Sequence, residues 1–176
     1  MGYIRLSVPM LKAVRIALRM WWRFRKPTTF GVKVLLMHPD DPAPCLIVRH
    51  SYADSARWAL PGGAYKPERE SAQRAGIRET FEELGLCIRE DPAVLKTVTT
   101  SLEGKRDTLT ILQATPETAS FVLSPEIAEA RWVEADMSAM PKGEPLSRWL
   151  AHALSAPAVP PASGRSYPAN TLGIDG

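Results

Sequence analysis

Residues 63–86, GAYKPERESAQRAGIRETFEELGL, decide the fold of this chain. The stretch continues from Pro61-Gly62, a pair that forces the chain to turn. From residue 70 to residue 85 the pattern predicts a strong helix, with Gly85 as its C-terminal stop. The sequence therefore predicts a glycine turn that leads into a helix.

Three glutamates share one face of this helix. Glu79, Glu82 and Glu83 stand at positions i, i+3 and i+4, hence on an arc of roughly 100°. Like charges at this spacing repel one another, and a divalent cation that prefers oxygen ligands, Mg²⁺ or Mn²⁺, removes the conflict. Arg78 can pair with a carboxylate, and the two glycines upstream allow the backbone to approach a ligand. A solvated acidic face is the alternative interpretation.

Short β-rich runs surround this segment. Two of them flank HPDDPAP, which has the composition of a hairpin loop, and two more flank the polar loop SLEGKRD. The predicted strands are 29–37, 45–50, 93–100, 107–114 and 129–135, with a short apolar piece at 58–60 and a late helix at 145–154. This order predicts an α/β (α+β) fold, in which a mixed sheet lies between helices.

The N-terminal segment is both basic and apolar. Residues 1–26 carry seven basic side chains and no acid, and residues 8–26 predict a helix with a broad apolar face and a narrow basic stripe. Charges interrupt the helix every three or four residues, so the pattern does not fit a membrane span. Two interpretations stay open. The helix packs on the domain or on a second subunit, as in a homodimer, or it makes peripheral contact with a membrane surface.

Length and composition indicate one compact domain with appendages, since the chain has 176 residues and 19.4 kDa. We predict a basic N-terminal helix over 1–27, the domain over 28–154, and a disordered Pro/Ala/Ser/Gly tail over 155–176. Cys45 and Cys87 stand in apolar stretches, which predicts two buried thiols in a reducing, cytoplasmic compartment.

The net charge of +3 comes from the N-terminal segment. Removing its seven basic residues from the 22 in the chain leaves 15 against 19 acidic residues, or −4 for the remainder. The predicted domain therefore lacks the basic surface that binding to nucleic acid requires, and we expect no nucleic-acid partner.

The segment from Gly63 to Leu86 resembles the Nudix box, whose signature is G-x5-E-x7-R-E-U-x-E-E-x-G-U, with U an aliphatic residue. The seven-residue spacer, R-E, x-E-E-x-G and the last aliphatic residue all match. Two positions depart, because six residues separate Gly63 from Glu70 and Thr80 replaces an aliphatic residue. The preceding WALPGG and the late EIAEARW are also typical of the family, so the resemblance covers about residues 28–154.

The resemblance implies a Nudix fold with the box as strand, loop and helix. It also implies a hydrolase that cleaves a nucleoside diphosphate linked to another group, X, by attack of water at phosphorus with Mg²⁺ or Mn²⁺. Carried over by position, Glu79 and Glu83 are the main metal ligands and Glu82 is a further ligand or a water-bridged neighbour. The Gly63 carbonyl completes the metal shell, and Arg78 orients a glutamate.

Two other roles are less fixed by the box. Glu70 matches its first glutamate, at a position that the longer spacer can shift. The residue that activates water varies across the family between a box glutamate and an acid on a later loop. Glu126 fits the second type better than Glu117, because it stands just before the EARW strand, and a surface glutamate that caps the turn at Pro125 is the alternative.

Other polar residues have two readings each. Lys105-Arg106 can hold a terminal phosphate or form a solvated loop, and Arg49, His50 and Trp58 can line a nucleotide cleft or an ordinary sheet edge.

Two other functions also stay open. One is a non-hydrolytic Nudix module that senses a nucleotide or binds a partner, and the other is a membrane-surface enzyme acting on a lipid-linked diphosphate. The intact Arg78-Glu79 and Glu82-Glu83 pairs argue against the non-hydrolytic module, because a pure sensor need not retain a metal-binding carboxylate array.

Overall fold

The structure, a computed structural model, describes residues 28–51, 57–102 and 105–156. Its strands are β1 (Thr28–Leu36), β2 (Pro44–His50), β3 (Ala64–Tyr65), β4 (Ala93–Leu102), β5 (Lys105–Ala114) and β6 (Ile127–Glu134). Its α-helices are α1 (Ala72–Leu84) and α2 (Arg148–Leu154), and a 3-10 turn spans Met137–Ala139.

Helix α1 is bounded by caps that the sequence supplies. The Ser71 hydroxyl accepts the Arg74 N–H at 3.2 Å, and Gly85, with a φ of 66°, donates its N–H to the Phe81 carbonyl. The helix lies close to the sheet at Gly76, where a Cβ would come within 2.7 Å of Leu112. The caps thus fix the length of α1, and this close approach fixes its position on the sheet.

The strands form two sheets within one layer. Four strands run in the order β3-β1-β5-β4, with β1 and β5 parallel and the other pairs antiparallel, while β2 and β6 form a separate antiparallel pair. Side chains alternate between the two faces of this layer. Val34 packs in the cluster that contains α1, and Leu35 packs in the cluster that contains α2. The predicted mixed sheet between two helices is confirmed.

Several local predictions need correction. Strands β1 and β2 do not form a hairpin, since they join different sheets and meet only at the bridge from Met37 to Cys45. The late helix begins at Arg148, because the Ser147 hydroxyl caps it by accepting the Trp149 N–H. Cys45 is buried as expected, but Cys87 is exposed, since it follows α1 at the surface.

Both terminal predictions fall outside these residues. The predicted helix over 8–26, with its membrane or dimer contacts, lies outside the described part of the chain, as does nearly all of the predicted tail. Among the described residues, no helix has the length and hydropathy that crossing a membrane requires.

Candidate active site

Two glycines bring the backbone against the glutamate face of α1. Gly62 has a φ of 123°, and a Cβ there would lie 2.4 Å from the Val32 carbonyl oxygen. At Gly63 a Cβ would lie 2.6 Å from the carboxylate of Glu79. Only glycine fits at Gly62, because its φ is positive and its Cβ would meet backbone, whereas at Gly63 the flexible carboxylate end of Glu79 would have to shift. The Val32 N–H donates to the Gly63 carbonyl at 2.9 Å, so the turn is held on β1.

Glu83 is the buried member of the glutamate set. Its side chain belongs to a residue only 4% exposed, and its Oε2 accepts the Gly62 N–H at 2.8 Å. Burial is the main cause that raises the pKa of Glu83 to about 7, and the charges of Glu79 and Glu126 act in the same direction. The Gly62 hydrogen bond and the charge of Lys33 oppose this shift. Burial outweighs the charge of Lys33, so further positive charge beside this carboxyl group would stabilise its ionised form.

Lys33 is a site residue that the sequence analysis missed. Its ammonium donates to the Gly62 carbonyl at 2.5 Å. Burial lowers the pKa of Lys33, while the charges of Glu83 and Glu79 act in the opposite direction. The signal in the sequence was the one charged residue inside the apolar run GVKVLLM.

His50 also lies beside Glu83. Its Nδ1 is 3.7 Å from Glu83 Oε1, and burial, with the nearby charge of Lys33, lowers the pKa of His50 to about 4. The imidazole is therefore neutral at pH 7. The prediction that His50 lies by the cleft is consistent with this position.

Arg78 gathers three carboxylates on the exposed side of the site. Its guanidinium donates to Glu79 Oε1 at 2.8 Å, to Glu82 Oε2 at 2.9 Å and to Glu70 Oε1 at 2.9 Å. The Glu70 hydrogen bond is the largest of the contributions that raise the pKa of Arg78. The expected contact between Arg78 and a box glutamate is thus present.

The longer spacer before α1 is absorbed in a local turn. The Lys66 carbonyl accepts both the Arg69 N–H at 2.9 Å and the Glu70 N–H at 3.1 Å. Glu70 still reaches Arg78 through two hydrogen bonds, of 2.9 and 3.3 Å. The extra residue therefore leaves Glu70 attached to the box helix.

The two late acidic candidates, Glu126 and Glu117, lie in different surroundings. Glu126 has an exposed side chain, and its carbonyl accepts the Ser51 N–H at 2.8 Å, next to His50. Its charge also contributes to the raised pKa of Glu83. Glu117 is exposed beyond the helix, with its N–H bonded to the Cys87 carbonyl.

Trp58 is not available to stack on a base. It is fully buried, and the guanidinium carbons of Arg49 and Arg131 lie 4.5 and 4.1 Å from its ring centroid. Glu144 accepts hydrogen bonds from Trp58 Nε1 and from Arg49. Of the two interpretations for Trp58, a place in the cleft is wrong, because the ring is buried and two arginine side chains lie over it.

The Lys105-Arg106 pair lies toward the other end of β1. Arg106 stands opposite Thr28, and the Thr29 hydroxyl donates to the Asp107 carboxylate. The glycine turn is attached at Val32, four residues or about 13 Å further along the strand. The backbone at Arg106 therefore lies away from the glycine turn.

The chemistry of the site fits a divalent cation bound by oxygen. Glu79 and Glu83 stand one helical turn apart against the glycine pair, and burial penalises the negative charge of Glu83. As the side chains stand in the described residues, no three acidic, His or Cys side chains converge as a metal cluster. Arg78 holds Glu79 and Glu82, whereas Glu83 turns toward the Gly62 amide. Glu79 and Glu83 are the side chains that would hold a divalent cation here, with Arg78 bonded to Glu79.

The family model of the NUDIX domain matches residues 27–153. The chain belongs to the NUDIX family. This Nudix protein is a pyrophosphohydrolase, which confirms the predicted enzyme class. The comparison with curated proteins gave no match.

Solved structures share the fold. A MutT NUDIX hydrolase from Burkholderia pseudomallei is 21% identical with a TM-score of 0.60, over 72% of this chain and 95% of that one. The MutT protein from Methanosarcina mazei Go1 is 27% identical with a TM-score of 0.52, over 62% and 79%. A bifunctional NMN adenylyltransferase/ADP ribose pyrophosphatase from Francisella tularensis is 18% identical with a TM-score of 0.53, over 73% of this chain and 40% of that one.

Proposed function

We propose that this Nudix pyrophosphohydrolase depends on Mg²⁺ or Mn²⁺ and cleaves the diphosphate linkage of a nucleoside diphosphate joined to a group X. The observation that carries the proposal is the placement of Glu79 and Glu83 against the Gly62-Gly63 turn. Carboxylates in this position repel a diphosphate, so substrate and site become compatible only with cations between them.

The residues of the chain divide the work. Glu79 and Glu83 hold the cation, with Glu82 as a further or water-bridged ligand. Arg78 fixes the rotamers of the glutamates, since it bonds Glu70, Glu79 and Glu82. A bound divalent cation supplies charge neutralisation at phosphorus and a lower pKa for water.

The general base and the support around it come from the same region. Lys33 holds the Gly62 carbonyl and thereby the turn, so it positions the site. Glu126 is the group that we assign to take a proton from water, because its charge reaches Glu83 and its side chain is open to solvent.

The protein works in the cytoplasm, a location that two free cysteines suit.

A nucleotide panel tests the proposal. Phosphate and nucleotide products are measured with and without Mg²⁺, using sugar-linked, dinucleoside and triphosphate substrates. Glu83→Gln keeps the volume and removes one ligand charge, so we expect a fall in kcat of roughly 10²-fold or more with the fold intact. Glu90→Gln, at an exposed carboxylate outside the box, is the matched control. Full activity of Glu83→Gln with unchanged Mg²⁺ dependence would refute the metal assignment.

A further inference from the structure

Lys33 is the one charged residue of β1, and it stands between Val32 and Val34, which are fully buried. Its Nζ donates to the Gly62 carbonyl at 2.5 Å, and the Gly62 N–H donates to Glu83 Oε2 at 2.8 Å. The two polar groups of a single residue thus hold the ammonium of Lys33 and the carboxylate of Glu83. A fixed positive charge therefore lies beside the glutamate face of α1.

The positive charges at the site are divided among the glutamates of the box. Arg78 donates hydrogen bonds to three of them, and the fourth, Glu83, accepts the Gly62 N–H instead. Burial lowers the pKa of His50 to about 4, so the imidazole beside Glu83 carries no charge at pH 7. Burial raises the pKa of Glu83, and the charge of Lys33 opposes that shift. Lys33 is thus the counter-charge that the chain supplies to this carboxylate.

A divalent cation held by Glu79 and Glu83 would meet the charge of Lys33. Burial lowers the pKa of Lys33, and the charges of both glutamates oppose this, so the ammonium interacts with the whole pair. Charges of +2 and +1 that lie about 8 Å apart, the scale of the path through Gly62, repel each other by roughly fivefold in a binding constant even in water. The repulsion is larger in a partly buried site. The ammonium and the cation therefore compete for the same carboxylates.

We propose that Lys33 is a counter-cation that neutralises Glu83 in the metal-free enzyme and thereby weakens the binding of a free divalent cation. This inference rests on the proposed function, because it takes Glu79 and Glu83 as the residues that hold the cation. Lys33 touches the glycine turn and acts through these carboxylates, so it is a positioning residue. The negative charge of a diphosphate offsets the repulsion from Lys33, so the site favours a cation that arrives with the substrate over a free one.

Binding of Mn²⁺ in the absence of substrate tests this role in the full-length chain. The concentration of free Mn²⁺ is followed by electron paramagnetic resonance, so the readout does not depend on turnover. Lys33→Met removes the charge and nearly keeps the length of the side chain, and we expect Mn²⁺ to bind at least about fivefold more tightly. Lys33→Arg keeps the charge and should retain the wild-type affinity. Lys96→Met is the matched control, because Lys96 is exposed on β4, which β5 separates from β1.

Two further variants separate the possible outcomes. Lys33→Gln also removes the charge but retains a donor for the Gly62 carbonyl, so it takes the place of Lys33→Met if circular dichroism shows that the methionine variant is unfolded. Glu83→Gln should weaken Mn²⁺ binding, which assigns the measured site to the box. Unchanged or weaker binding in the folded Lys33 variant, with Glu83→Gln weakened, would overturn the inference and leave the proposed function standing. Absence of Mn²⁺ binding to all of these chains, or binding that Glu83→Gln does not weaken, would overturn both.

Discussion

Thr80 is buried on the sheet side of α1, and the described residues offer its hydroxyl no hydrogen-bond partner. The other buried residues of α1 include the apolar Ala75 and Leu84 and the carboxylate of Glu83. A buried polar group without a partner costs about 1–3 kcal/mol. The Nudix box has an aliphatic residue at the position that Thr80 occupies here.

Thr80→Val should therefore stabilise the protein. The valine has nearly the shape of threonine and removes the unbonded hydroxyl, so we expect a gain of about 1–2 kcal/mol and a melting temperature higher by a few degrees. Thr118→Val is the control, since its exposed hydroxyl donates to the Ser120 carbonyl and its loss brings no gain. A lower melting temperature for Thr80→Val would mean that the hydroxyl has a partner in solution.

Glu126 and Glu117 allow a matched test of the general base. Both are exposed late glutamates, but only Glu126 contributes to the charge environment of Glu83. We expect Glu126→Gln to lower kcat by roughly 10²-fold, the range of general-base catalysis, and Glu117→Gln to leave it unchanged. Similar activity in both variants would return the role to a glutamate of the box.

At the scale of elements, we expect the loop between Gly63 and Glu70 to tolerate the loss of a residue. The Gly62 position, by contrast, should not tolerate a side chain. The Lys66 carbonyl accepts the N–H groups of both Arg69 and Glu70. Deleting Glu68 leaves Glu70 three residues after Lys66, and a β-turn retains the hydrogen bond between them. The link from Glu70 to Arg78 can then persist.

Deletion of Glu68 should leave an enzyme with near-normal kcat, whereas Gly62→Ala should be inactive although it keeps the length. An alanine Cβ at Gly62 would lie 2.4 Å from the Val32 carbonyl oxygen, at a φ of 123° that alanine disfavours, so the turn would have to move. Turnover of both variants is measured beside circular dichroism. If the deletion abolishes activity in a folded protein, the six-residue spacer shapes the site itself.

At the scale of the whole molecule, the charge is divided between the N-terminal segment and the rest. The segment holds seven basic groups, and without it the net charge changes from +3 to −4. A basic amphipathic helix that lies on a membrane binds anionic lipid in a manner that salt screens. A helix whose aromatic face is buried in its own domain has lost the surface for that binding.

We expect the full-length chain not to sediment with anionic vesicles at low salt beyond the level of a chain that lacks residues 1–26. Deletion should lower the melting temperature, because aromatic side chains lose burial worth about 1.5–3 kcal/mol each. Sedimentation at low and high salt and thermal melts of both proteins provide the comparison. Salt-sensitive binding together with equal melting temperatures would favour the membrane interpretation.

The sequence by itself determined α1 and its glutamates. Helix caps, periodicity and the box lie within 24 consecutive residues, so local spacing alone places Glu79, Glu82 and Glu83 on one face and Arg78 beside them. The fold class followed from the order of the elements for the same reason. These features depend on neighbours in the chain.

Only the tertiary structure decided which distant residues meet that face. Lys33 and His50 reach the site because β1 and β2 lie beside the glycine turn, and no spacing in the sequence encodes that pairing. The burial of Trp58 also depends on tertiary structure, because the arginines over its ring, Arg49 and Arg131, come from the β2–β6 pair. Burial and charge depend on such long-range contacts, which determine the pKa of Glu83 and thus the character of the site.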